Sequence, residues 1–254
     1  MIKVRNLNFD YGKTNKILKD VSLDINKGSF VSIIGPNGSG KTTLIKLISK
    51  ALTDFEGNIS IKNEDIDSYS VEALSKSMAT IAQGGNVKFP FTCLDIVLMG
   101  RNPHISNMSN LSDRDLTIVQ EMMTLTDTAK FSKKLITEVS GGEYQRVIFT
   151  RALVQETDIL ILDEAFSAMD ISHTVNAMKV LREFIDKKGI TVVSVIHDIN
   201  IAYKYSDHVI VLKEGHVKGD GTPNEVLTEP FVKEIFDIDV DYIEGKGFLL
   251  RDEE

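Results

Sequence analysis

The sequence predicts an α/β fold with an N-terminal antiparallel β-subdomain and an inserted helical subdomain. Short β-branched, apolar runs at 30–34, 158–162, 191–196 and 209–212 read as strands of a sheet buried on both faces. Residues 1–30 read instead as short strands broken by turns. From Phe91 to Leu153 the apolar spacing becomes helical, so a helical segment interrupts the strands. A chain of 254 residues can build one large domain, or a core with a subdomain.

In chain order, 2–7 and 17–25 are expected strands, broken by Tyr11-Gly12-Lys13 and Asn26-Lys27-Gly28. After the buried strand 30–34 comes a glycine-rich segment. Leu44, Ile45, Leu47 and Ile48 then repeat with helical spacing, so that segment joins a strand to a helix N-terminus. Further strands are expected at 59–61 and 78–83. Thr92 with Asp95 three positions on has the form of a helix start. Leu116, Val119, Met122 and Met123 keep one helical face, with the methionines as core filler. Helices are expected between 158–162 and 191–196, and again between 191–196 and 209–212. Glu214-Gly215 marks a hairpin turn, and Thr222-Pro223-Asn224-Glu225 combines a cap, a first-position proline and a reaching glutamate. Residues 251–254 are expected to be a solvated tail.

Composition narrows the function. The balance is ordinary for a globular protein, 42% hydrophobic and 26% charged. A net charge of −8 argues against broad nucleic-acid binding, and no nucleic-acid partner is expected. No apolar run approaches the ~20 residues that span a bilayer. The N-terminus lacks a signal-peptide core and is expected to enter the fold directly, which points to a soluble cytosolic protein. Cys93 is the single cysteine, expected as a small buried side chain. The histidines at 104, 173, 197, 208 and 216 show no metal-ligand spacing.

Gly35-Pro36-Asn37-Gly38-Ser39-Gly40-Lys41-Thr42-Thr43 fits the P-loop pattern in the right context. Backbone N–H groups and the dipole of the following helix favour an anion. Lys41 offers a point charge to β- and γ-phosphates, and Thr42 a hydroxyl to Mg²⁺. The alternative is a glycine-rich turn that binds nothing; the strand, loop, Lys-Thr pair and helix in sequence argue against it. The expected ligands are therefore ATP and Mg²⁺.

About 120 residues downstream, a buried strand ends at Asp163 and is followed by Glu164. A carboxylate there suits a Mg²⁺ ligand, and a second can deprotonate an attacking water. Alone, the pair would equally suit a polar strand terminus. Ser140-Gly141-Gly142-Glu143 has the form of a capping box ahead of Tyr144, Val147, Ile148 and Arg151. It is either an ordinary helix cap or a second anion-facing helix end. His197 follows a strand and would sit in the ligand crevice.

Together these residues resemble the ATP-binding cassette family, the ATPase subunits of ABC transporters. The resemblance runs over nearly the whole chain and keeps the family's order. Gly35 to Thr43 resembles Walker A, Val139 to Glu143 the signature motif, and Ile159 to Asp163 Walker B. Tyr11 resembles the aromatic that stacks on adenine, Gln83 the Q-loop glutamine that senses Mg²⁺, Glu164 the catalytic base, 167–170 the D-loop and His197 the switch histidine. Val139, Ala165, Phe166 and Met169 depart from the usual residues.

The resemblance implies the P-loop NTPase fold of ABC ATPases. Residues 1–84 and 158–254 would form the nucleotide-binding core and 85–157 the helical subdomain of a single ATP-binding domain. It implies Lys41, Gln83, Glu164 and His197 in catalysis, and Thr42, Gln83 and Asp163 around Mg²⁺. It also implies two cassettes closing head to tail, with Lys41 of one copy and Ser140 of the other on each nucleotide. The partners would be a second copy, transmembrane permease subunits and, indirectly, a substrate-binding protein, at the cytoplasmic face of the membrane. The stretch Val97-Leu98-Met99-Gly100-Arg101-Asn102-Pro103-His104 resembles importers of iron–siderophore complexes, vitamin B12 and haem. Its plainer reading is a helix end followed by a loop. Outside that group, the alternatives are an ABC ATPase for another substrate or a soluble one outside transport.

Overall fold

The computed structural model describes residues 1–12, 16–85, 87–105 and 111–251; the turn residue Lys13 and most of the expected tail, 252–254, lie outside them. The chain divides into two compact units, Met1–Ser68 with Thr191–Glu254, and Tyr69–Ile190.

Strands β1 (Ile2–Phe9) and β2 (Leu18–Ile25) alternate between buried apolar and exposed polar residues, as a sheet with one face on a core requires. β3 (Phe30–Ile34) is buried at every position and runs through the glycine-rich loop into α1 (Lys41–Ile48). β4 (Glu56–Ile61) and β5 (Glu64–Asp65) follow, joined by Lys62 and Asn63 with φ of 53° and 67°, a pair of left-handed residues suited to a two-residue hairpin. α2 (Val71–Ser77), capped by Ser70, leads into β6 (Met78–Ile81). α3 (Cys93–Leu98) passes into a 3₁₀ stretch, Met99–His104; α4 (Asp113–Leu125) and α5 (Gly141–Leu153) complete the helical region. Then come β7 (Ile159–Asp163), α6 (Ile171–Lys188), β8 (Thr191–Val195), α7 (Ile199–Tyr205), β9 (His208–Lys213) and β10 (His216–Gly221). The chain ends through α8 (Pro223–Val226), α9 (Glu229–Phe236) and a hairpin of β11 (Val240–Ile243) with β12 (Gly247–Leu250).

In the first unit, β2-β1-β4-β5 form the expected antiparallel sheet. β3 lies between β8 and β9, parallel to both, and β10 pairs antiparallel with β9. Leu44, Ile45, Leu47 and Ile48 of α1 are buried; each such side chain contributes about 1.5–3 kcal/mol relative to exposure. In the second unit β6 and β7 pair in parallel, and α5 packs on α3, α4 and β6.

Some expectations need correction. The strand expected at 78–83 stops at Ile81, because the chain turns through Gln83 and Gly84, the latter at φ +76°. On α4, Val119 and Met123 are buried, but Leu116 is 48% exposed. Neither α2, β5 nor the β11–β12 hairpin was expected. Among the described residues no helix is long and apolar enough to cross a membrane.

Candidate active site

The glycine-rich loop of the first unit is shaped for an anion. α1 has Gly40 as N-cap, with no side-chain cap bond and no acidic residue in its first turn, so its first N–H groups point into the loop without an internal acceptor from a cap. Lys41 is only 6% exposed; its Nζ donates to the carbonyls of Gly35 at 2.8 Å and Pro36 at 2.9 Å. Ser39 Oγ is buried and, among the described residues, lacks a hydrogen-bond partner. Backbone approach is close here: at Gly35, with φ +146°, a Cβ would stand 1.9 Å from the Leu212 carbonyl oxygen. Asn37 and Gly38 are exposed at the loop apex, Thr42 is half-buried and Thr43 is buried. An uncapped helix end, a buried cation and an orphaned hydroxyl together fit phosphate groups.

Two further expected residues belong to this unit. Tyr11 is half-exposed, sits edge-on to Phe9 with ring centroids 4.9 Å apart, and its hydroxyl lies 3.3 Å from Thr43 Oγ1. That leaves ring surface on which a base can stack. β3 and β8 pair with Ile33 opposite Val195, so Gly35 and His197 each lie two residues past the same register point, at one sheet edge. His197 is exposed, and Asp198 beside it caps α7 by accepting from the N–H groups of Asn200 and Ile201.

In the second unit the same device brings three more together. β6 and β7 are in register with Ile81 opposite Leu162, so Gln83 and Glu164 leave neighbouring strand ends. Gln83, Asp163 and Glu164 line one cavity of about 660 Å³, with Gly141, Tyr144 and Gln145 on its other walls. Asp163 is buried and Glu164 half-buried. Glu164 has φ of 53°, a left-handed conformation that costs a non-glycine residue about 1–3 kcal/mol and is characteristic of functional sites. In this unit the Gln83 amide and the Asp163 carboxylate are hard oxygen donors, the chemistry that Mg²⁺ prefers; in the first unit the Thr42 hydroxyl is a donor of the same kind.

The expected capping box at the start of α5 is present. Ser140 Oγ accepts from Glu143 N–H at 3.3 Å, and Glu143 Oε2 accepts from Ser140 N–H at 2.8 Å. The Ser140 N–H holds the Glu143 carboxyl below the usual carboxylate range. The Ser140 hydroxyl and N–H both engage Glu143, and no bond of the cap uses the N–H groups of Gly141 and Gly142. Gly141 is exposed, and a Cβ on Gly142 would come within 2.9 Å of the Ala168 carbonyl oxygen.

Several supporting contacts were not legible beforehand. Gln145 donates from Nε2 to Ser167 Oγ at 3.0 Å and accepts at Oε1 from Ala168 N–H at 2.8 Å. Tyr144 donates to the Gly85 carbonyl and accepts from Val87 N–H at 3.1 Å. The two residues that depart from the family's pattern after Glu164 are packed inward: Ala165 is buried, and Phe166 meets Phe149 of α5 edge-on at 5.7 Å.

Residues 18–167, more than half of the chain, match the family described as ABC transporter. The chain is 36% identical over 222 residues to the cobalamin import ATP-binding protein BtuD of Halobacterium salinarum, covering 87% of this chain but only 55% of that protein; it thus spans about half the length of this relative. It is 32% identical to the petrobactin import ATP-binding protein YclP of Bacillus subtilis, covering 94% of each. Among solved structures, the dimeric bacterial ABC transporter cassette MJ0796 matches with a TM-score of 0.79 and 30% identity, over 88% of this chain and 99% of that one. The chain belongs to the ABC transporter family.

Proposed function

We propose that this chain hydrolyses ATP to power an importer of a metal chelate, such as an iron–siderophore complex, vitamin B12 or haem. One observation carries the catalytic half of this reading: parallel register delivers Gln83 and Glu164 to neighbouring strand ends beside Asp163. The names of the relatives, which import cobalamin and petrobactin, support the transport half.

In this reading the N–H groups of 35–43 and Lys41 hold the phosphates, Tyr11 stacks on the base, and Thr42, Gln83 and Asp163 surround Mg²⁺. When bound, the metal neutralises phosphate charge. Glu164 takes a proton from water as its oxygen bonds to the γ-phosphorus; the bond to the bridging oxygen breaks and its electron pair leaves with ADP. His197 hydrogen-bonds the γ-phosphate. Ser140, with the 141–143 turn, donates to the nucleotide held by a second copy; that a similar cassette is dimeric supports the pairing of two copies. Residues 1–84 and 158–254 act as the nucleotide-binding core, and 85–157 as the helical subdomain that passes closure to permease subunits at the cytoplasmic membrane face. A substrate-binding protein reaches this chain only through them.

Glu164→Gln keeps the shape and the left-handed backbone but removes the base, and is expected to lower turnover by at least about 100-fold while ATP binding persists. Normal turnover in that variant would refute the role. Purified with ATP from gently solubilised membranes, the same variant is expected to bring a polytopic membrane protein with it. Recovery of soluble partners alone would favour an ABC ATPase outside transport.

A further inference from the structure

Tyr144 stands directly after the capping box, and its N–H makes the first turn of α5 by donating to the Ser140 carbonyl at 2.8 Å. The phenol is therefore fixed relative to Ser140. Its hydroxyl uses both of its capacities on one loop, donating to the Gly85 carbonyl and accepting from Val87 N–H at 3.1 Å. Gly84 has φ of +76°, and a Cβ at Gly84 or Gly85 would meet nothing within 4 Å. Among the described residues of 84–88, the two bonds to Tyr144 are the hydrogen bonds that tie the loop down. The loop, Tyr144 and Glu164 all line the 660 Å³ cavity.

The upstream side of Gln83 is fixed by β6, paired with β7 through Ile81 and Leu162. The downstream side is fixed by Tyr144. We propose that Tyr144 is a positioning residue: it sets Gln83 through the backbone of Gly84 and Gly85, and so couples the place of that amide to the helix that Ser140 caps. Gln145, the next residue, does the same for the loop after β7 through Ser167 and Ala168. The first turn of α5 thus holds the loops that leave both strands, and a shift of this helix moves both. The effect on turnover rests on the ATPase reading above; the anchoring does not.

Tyr144→Phe keeps the ring and deletes both bonds. In the full-length, nucleotide-free protein, hydrogen exchange at the Val87 amide is expected to rise by about tenfold or more, with the midpoint of thermal unfolding little changed. An unchanged Val87 rate overturns the anchor. Steady-state turnover is expected to fall about five- to tenfold, with more Mg²⁺ needed for half-maximal rate. In a cycle with Gln83→Ala, the double variant should be no slower than Gln83→Ala alone. Losses that multiply would mean that Tyr144 does not act through Gln83 and would overturn the proposal. A wild-type chain with no ATP turnover would overturn the catalytic half together with the reading it rests on, while the exchange rate still decides the anchor.

Discussion

Arg101 is 4% exposed, and its guanidinium meets three acceptors. Nε donates to Asp115 at 2.8 Å, and one terminal nitrogen reaches the Val154 carbonyl at 2.5 Å and Glu156 at 3.0 Å. The neighbouring His104 ring bonds the Gln155 carbonyl at 2.7 Å. The stretch that resembles metal-chelate importers is thus a staple across the start of α4 and the end of α5. The Ser112 hydroxyl and N–H, then Arg101, push the Asp115 carboxyl down to about 2 from its ordinary 3.8. A depressed carboxylate adds stability that is present above its unfolded value and lost as pH falls from about 4 to about 2. Arg101→Met removes the donor to Asp115 Oδ1 and to the Val154 carbonyl and is expected to cost about 2–4 kcal/mol in denaturant unfolding. Asp115→Asn should lose stability at neutral pH and show a shallower decline on acidification. An unaltered acid profile would show that Asp115 does not carry that decline.

At the scale of elements, legibility followed burial. β3, β7 and β8 are buried at every position, so their apolar runs stood out. α2 buries Leu74 alone and presents Val71 at 83% exposure, so no stripe announces it. β5 is a charged pair that exists because Lys62 and Asn63 turn the chain back onto β4. The site shows the same division. The loop 35–43, Asp163, Glu164 and the Ser140 cap are local patterns and were readable. Tyr144 was not, because its hydroxyl bonds to backbone 57 and 59 residues away, and neither partner has a side-chain signature. Gly100 is a middle case: its place after α3 was visible but its reason was not. A Cβ there would lie 2.3 Å from the Arg151 carbonyl oxygen, so α5 must move to admit one. Gly100→Ala is therefore expected to destabilise by about 1–3 kcal/mol, read by thermal or denaturant unfolding. A neutral result would mean that α3 and α5 can separate without cost.

On the scale of the whole molecule, the expected residues fall on two sides of a division in the chain. Tyr11, the loop 35–43 and His197 belong to one unit, whereas Gln83, the Ser140 cap, Asp163 and Glu164 belong to the other. The exposed Gly141 and the N–H groups of the first turn that the cap does not use make the α5 end a donor surface whose acceptor must come from elsewhere. If that acceptor is nucleotide held by a second copy, damage at Ser140 and at Lys41 will complement. A Ser140→Arg homodimer has both sites blocked at the α5 end, and a Lys41→Ala homodimer has both blocked at the phosphate loop. A mixed dimer keeps one site whole, formed by Lys41 of the first variant and Ser140 of the second, while the other site carries both defects. Random pairing at equal amounts makes about half of the dimers mixed, so about a quarter of wild-type turnover is expected at most, from two inactive preparations. No recovery on mixing would place Ser140 and Lys41 on the same copy's nucleotide, and full activity in Ser140→Arg alone would remove that serine from the site.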